Sequence, residues 1–282
     1  HDLKRSQKKD VPFVLMEQAP AAVNWRSVDP TKTPGVMRLQ GLEGVARGAD
    51  GVMFFQWGAS VAGAEKYHSA MIPHAGAERS RTFREVKQLG AELAKLGAVT
   101  GTLVKPSVAI AFNWHAWWAL ELESKVARVD YVAWVQEIHR WFYERNIAVD
   151  FVDPEEALDA YALVVTPALY LLTKKGAANL EAFTRAGGVL FATYCTGIVD
   201  ENEHVLTGGY PGWLREVLGL WVEEWAVLGE NQKNSLAFAD GATCEAKHWC
   251  DVIHLEGAKA LATFEGDFFA GHAGVTEHAF GK

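Results

Sequence analysis

Long apolar runs are missing from this sequence. None reaches the roughly 18 residues that a helix needs to cross a bilayer, so no membrane span is expected. Positive charge is scarce as well: Lys plus Arg total 27 against 35 for Asp plus Glu, a formal net charge of -8. Such a chain lacks the basic stripe that grips nucleic acid or an anionic membrane surface, so neither is expected as a partner. Cysteines are few, and their number is odd: Cys195, Cys244 and Cys250. That count argues against a secreted disulfide framework and suits a reducing, cytoplasmic compartment. Their spacings match no zinc pattern. Internal repeats and low-complexity segments are lacking too. The chain starts at His1 without a methionine and ends at Ala279-Phe280-Gly281-Lys282 with no evident stop. Both ends are therefore read as cut, and a leader is neither seen nor excluded.

What is there belongs to an ordinary globular protein. Hydrophobic residues make up 49% and charged residues 22% of 282, enough to build one large domain or two ordinary ones. Tryptophan is abundant, with 11 residues. Indole rings stack on the apolar faces of sugars, and they also fill cores, so the count is read both ways.

The first hundred residues read as two strand–loop–helix units. Val11 to Met16 is a short apolar run and reads as a strand buried on both faces, as parallel strands are. A loop rich in Ala, Pro and Asn follows Glu17-Gln18. Pro34 opens a helical stretch through Val36, Leu39, Leu42 and Val45. Val52 to Trp57 reads as a second strand, followed by a long loop and a helix with Phe83, Val86, Leu89, Leu93 and Leu96 on its apolar face. Two such units are the repeat of an α/β barrel or of a doubly wound sheet, and in both the loops after the strands carry chemistry.

The character changes around the linker-like Thr100-Gly101-Thr102. A fresh alternation then begins: a strand at Val108 to Phe112, a helix from Asp130 to Arg145, strands at Val149 to Val152 and Leu163 to Val165, a helix over Gly176 to Ala186, and a strand over Gly188 to Thr193. This alternation predicts a mostly parallel sheet.

Five positions stand out for chemistry in the first part. Glu17 ends a buried strand, where a carboxylate either reaches solvent or has a function, because burying it bare is costly. Glu65 and His68 stand at i, i+3; on a helix they would share one face and could bind metal, exchange protons or hold hydroxyls. A solvated polar loop is the plainer reading. Trp25 and Trp57 lie in or beside loops that follow strands, placed either to stack on a ligand or to pack a core. In the second part Cys195 follows a strand, but no glycine precedes it as in a nucleophile elbow, and an ordinary buried thiol is the simpler reading.

Taken together these residues resemble the β-galactosidases of glycoside hydrolase family 42. The resemblance rests on Leu15-Met16-Glu17-Gln18, Val23-Asn24-Trp25, Pro34 to Leu39, Gly48 to Trp57, Gly63 to His68 and Met71-Ile72-Pro73-His74, which run in the family's order at its spacing. It implies the C-terminal portion of a (β/α)8 TIM barrel, strands seven and eight, over residues 1-102. Residues 103-282 would then be a flavodoxin-like parallel-sheet domain. That domain is similar to class I glutamine amidotransferases without their active site, is cut short at its C-terminus, and builds a homotrimer.

The resemblance also implies roles: Glu17 as the nucleophile of a retaining β-galactosidase, with Trp25, Glu65 and His68 lining the galactose subsite. No cofactor is implied and no metal site in this chain, since the cysteine zinc site of some members lies outside it. The acid/base glutamate, which follows an asparagine in the family, is also outside. Asn202-Glu203 is the only Asn-Glu pair, and it falls in the second domain. Gly58 and Val61 stand where many relatives carry arginines. Two rival readings remain: a non-catalytic carbohydrate-binding or oligomerisation module, and an amidotransferase-like enzyme on the second domain, which would need the elbow that is missing.

Overall fold

The computed structural model describes residues 1–122 and 125–282. The chain forms two compact units, His1–Lys105 and Pro106–Lys282.

The first unit is a pair of parallel strands with helices. It opens on the short helix α1 (Asp2–Ser6), whose Asp2 carboxylate accepts from Arg5 Nη1 and Arg47 Nη1, both at 2.9 Å. Strand β1 (Phe13–Gln18) is followed by α2 (Val36–Ala46), β2 (Ala49–Phe54) and α3 (Arg81–Leu93). β1 and β2 pair in parallel, with α2 in the crossover that a parallel pair needs. α2 begins two residues later than Pro34 suggests, because Gly35 takes a left-handed φ of 89° at its N-cap.

α2 and α3 approach closely over Gly41, where an added Cβ would meet Leu89 Cδ2 at 2.9 Å. Arg38 clamps Glu92 across the same pair with bonds of 3.1 and 2.7 Å. Ser80 caps α3, accepting from the Phe83 amide. Leu15, Met37, Ala49 and Leu89 are buried.

β1 departs from the expectation of burial on both faces. Leu15 is sealed against α2, within contact of the Gly44 position, but Val14 is 45% and Met16 71% exposed. Successive side chains point to opposite faces, and among the described residues of this unit the sheet has two strands only. The helices cover one face and leave the other open.

The second unit has two sheets. β3 (Val108–Ala111), α4 (Trp114–Glu121), α5 (Tyr131–Tyr143), β4 (Val149–Val152), β5 (Leu163–Thr166), α6 (Lys174–Arg185) and β6 (Val189–Ala192) give a four-stranded parallel sheet of order β4-β3-β5-β6. All four residues of β3 are buried. Asn113, Asp130 and Thr173 start α4, α5 and α6 by accepting from the amides of Ala116, Ala133 and Gly176. The alternation read from the sequence places these elements to within a few residues, except α4, which it does not include.

The sheet over residues 108–192 is parallel as the alternation predicts, and the chain beyond Leu214, which that alternation does not cover, adds a separate antiparallel sheet. α7 (Arg215–Leu218) leads into β7 (Leu220–Val227), β8 (Asn234–Phe238), β9 (Thr243–Ala246), β10 (Trp249–Leu255), β11 (Lys259–Phe264) and β12 (Ala273–Glu277). They form an antiparallel sheet of order β7-β10-β12-β11-β8-β9. The short connections of β8 to β9 and of β11 to β12 join antiparallel neighbours, as connections without a crossover do. Asp240-Gly241 between β8 and β9 is the clearest turn signal, with Gly241 at φ 87°. Leu236, Cys250, Val252, Ala262, Phe264 and Phe269 make this sheet's core. No helix among the described residues is long and apolar enough to cross a membrane.

Candidate functional site

Glu17 stands next to last in β1 and is exposed. Strict alternation would put it on the face of Leu15, against the helix. The register between β1 and β2 is irregular between Leu15 and Gln18, and Met16 and Glu17 are exposed in succession. A local break of this kind re-aims a side chain at the end of a strand. Here it frees a carboxylate from a buried strand without stranding the charge in apolar surroundings.

The loop after β1 is pinned to the loop after β2. The Phe55 amide donates to the Gln18 carbonyl at 3.1 Å and the Ser69 amide to the Ala22 carbonyl at 3.0 Å. Ser69 Oγ accepts from the Ala21 amide at 2.9 Å. Asn24 Nδ2 donates to the Ala64 carbonyl at 2.6 Å. From the other side Lys32 Nζ donates to the Ala19 carbonyl at 2.6 Å and to Gln18 Oε1 at 3.4 Å, and burial lowers its pKa.

The ties between the two loops, at Ala21, Ala22 and Asn24, bring Trp25 and His68 together. The two rings stack at 5.2 Å between centroids with 23° between their planes, and Phe55 meets His68 edge-on at 5.0 Å. His68 is 2% exposed while Trp25 is 61% exposed, so the indole has a free face over a sealed imidazole. His68 Nδ1 lies 2.8 Å from the Ser69 carbonyl. A carbonyl only accepts, so Nδ1 donates its proton there. Nε2 is buried and finds no hydrogen-bond partner, an unmet need uncommon in a native interior.

Glu65 does not share a helix face with His68. It lies in a 3-10 turn, Ala64–Tyr67, which ends as His68 turns extended. Its carboxylate is exposed while the imidazole is buried. No group of three or more His, Cys, Asp or Glu side chains gathers in metal-binding fashion among the described residues. Trp57 is 67% exposed, which leaves its ring free for stacking rather than packed in a core.

Sequence reasoning passed over Phe55, Ser69 and Lys32. For Lys32 a signal existed: it is a lone cation between Pro30 and Pro34, in the loop that follows the candidate carboxylate.

In the second unit Cys195 does adopt an elbow-like backbone, φ 58°, just after β6. It is 4% exposed. Burial first, and then the negative charge of Asp251, push its thiol far above the usual range. A thiol nucleophile requires the opposite shift, so the elbow's shape is present without its chemistry.

By its architecture, the chain is the C-terminal portion of an α/β barrel followed by a doubly wound trimerisation domain. It belongs to the β-galactosidases of glycoside hydrolase family 42: residues 106–282 match the β-galactosidase trimerisation domain and residues 1–96 the β-galactosidase family itself. It is 48% identical over 283 residues to β-galactosidase bgaB of Geobacillus kaustophilus, covering 100% of this chain and 42% of that protein. It is 49% identical over 285 residues to β-galactosidase LacZ of Heyndrickxia coagulans, again covering 100% of this chain and 42% of that protein. The crystal structure of β-galactosidase from Bacillus circulans sp. alkalophilus superposes with a TM-score of 0.95 at 39% identity, over 98% of this chain and 42% of that one. The chain thus spans about two-fifths of the length of the relatives it matches.

Proposed function

We propose that the complete protein is a retaining β-galactosidase, with Glu17 as its nucleophile. The observation that carries this reading is an exposed glutamate at the carboxyl end of a parallel barrel strand, in loops pinned to a tryptophan–histidine stack. In α/β barrels the chemistry sits at that end of the strands.

Glu17 attacks the anomeric carbon of a terminal β-D-galactosyl residue and forms a covalent glycosyl-enzyme. A second carboxyl group about 5 Å away protonates the leaving oxygen and then activates water. That second group comes from sequence outside this chain. Trp25 offers its free ring face to the sugar. His68, with Nδ1 committed to the Ser69 carbonyl, presents its unpartnered Nε2 to a sugar hydroxyl. Glu65, exposed on its turn, takes further hydroxyls.

The reading divides the labour near Leu103, with residues 1-102 catalytic and 103-282 assembling a homotrimer. Support comes from the compact units, which part between Lys105 and Pro106. It also sets the enzyme in the cytoplasm, in keeping with three unpaired cysteines.

The test is a Glu17→Ala variant of the full-length enzyme. Turnover of a nitrophenyl galactoside falls to nearly nothing, and azide restores it by attacking in place of the carboxylate. Activity that stays within about tenfold of the parent, some 1.4 kcal/mol of barrier, overturns the assignment.

A further inference from the structure

We propose that Lys32 is a positioning residue, holding the strand end that carries Glu17 through its bonds to Gln18 and Ala19. The inference rests on the reading of Glu17 as nucleophile.

The two residues after Glu17 are held from two directions. The backbone of Gln18 is tied to the second strand's end by the Phe55 amide. Its side chain and the next carbonyl, that of Ala19, both accept from Lys32 Nζ. Without the lysine, the Ala19 carbonyl and Gln18 Oε1 each lose this donor, while the tie of the Gln18 carbonyl to the Phe55 amide and the Ser69 bonds at Ala21 and Ala22 remain.

Lys32 is itself braced. Its carbonyl accepts from Arg81 Nη2 at 3.0 Å, and Arg81 Nη1 pairs with Glu85 one turn along α3, at 2.9 Å. A continuous line of polar contacts therefore runs from α3 through Arg81 and Lys32 to the residues flanking Glu17. An ammonium on a four-carbon stem loses rotamer freedom when fixed, and this one is also partly withdrawn from water. A lysine serving only solubility would leave its head in solvent. This one spends two of its three donors on a single turn of chain.

The geometry matters because nucleophilic attack demands near-attack alignment. A misplacement of about 1 Å costs on the order of a hundredfold in rate. The bond network touches the nucleophile's flank and not the stacked pair Trp25–His68, so the loss should fall on kcat rather than on sugar binding.

The experiment uses the full-length enzyme with Lys32→Met, Lys32→Cys and Glu17→Ala variants. The expected result for Lys32→Met is a kcat about 10- to 100-fold below the parent, KM within about threefold, and an unchanged melting temperature and oligomeric mass. Treating Lys32→Cys with bromoethylamine rebuilds a lysine-like ammonium and restores most of kcat, with the parent treated in parallel as control. Trapping of Glu17 by an activated 2-fluoro galactoside slows by the same factor as kcat. A kcat within threefold of the parent overturns the proposal. So does a loss that comes with a lowered melting temperature and is not recovered by aminoethylation, for that is the mark of a merely structural lysine. If Glu17→Ala silences the enzyme and Lys32→Met does not, only the positioning role fails. If Glu17→Ala stays active, the nucleophile reading fails first.

Discussion

β1 and β3 are both short apolar runs in parallel sheets, yet their surroundings differ. Val14, Leu15 and Met16 of β1 are 45%, 5% and 71% exposed, whereas Val108, Ala109, Ile110 and Ala111 of β3 are 8%, 0%, 0% and 0% exposed. β3 has a strand on each side and α/β layers over it. β1 has one neighbour and helices on one face. β6 shows that this is not a matter of which unit a strand belongs to. At the edge of the same sheet as β3, its Val189 and Phe191 are 60% and 54% exposed. An apolar run of four to six residues specifies a strand; the layers around it decide how much of the strand is buried.

The largest effect should come from the centre of the second unit. Ile110 has no exposed surface, and truncating such a side chain removes its transfer free energy and leaves a cavity. Ile110→Ala is expected to destabilise the second unit by about 2–5 kcal/mol in urea unfolding. A cost under about 1 kcal/mol would mean that the site collapses around the gap and that β3 is less confined than its burial indicates.

A smaller effect, with a definite sign in pH, is expected at Asp251 of β10. Burial pushes its carboxyl up from an ordinary 3.8 to about 6, and a bond from Trp249 Nε1 at 2.8 Å opposes only part of that. The folded state therefore prefers the protonated acid. The favourable contribution is complete below 3.8 and is lost as pH rises through 6. Stability of the second unit should decline by on the order of 1–3 kcal/mol across that window. Asp251→Asn keeps an acceptor for Trp249 and carries no charge, so it should flatten the decline and exceed the parent in stability above pH 7. Parallel pH profiles for the two proteins would sink this account.

Much of the architecture was legible because periodicity and capping are local. Asn113, Asp130 and Thr173 mark helix starts in one dimension as they do in three. The antiparallel sheet after Leu214 was not read, although Asp240-Gly241 announces a hairpin, because nothing in β7 to β12 fixes strand order until the strands are paired. At the site, Glu17 was visible as a charge ending an apolar run, and the family's motifs marked Trp25, Glu65 and His68. The stacking of Trp25 on His68 was not visible, since it depends on contacts between loops some 45 residues apart. The register break that turns Glu17 outward is likewise a property of β1 and β2 together.

The smallest effect sharpens the opening contrast most. Met16, at 71% exposure, makes little apolar contact in this chain. Met16→Ser should change the stability of the 282-residue chain by no more than about 0.5 kcal/mol, the usual scale for exposed positions. In the full-length protein the open face of β1 is, on the proposed reading, the inside of a closed barrel. There the same change should cost about 1.5–3 kcal/mol, the worth of a buried methionine side chain. The difference between the two measurements reports what covers β1. Equal small values in both proteins would show that the face stays open, and the barrel reading of residues 1-102 would lose its physical basis.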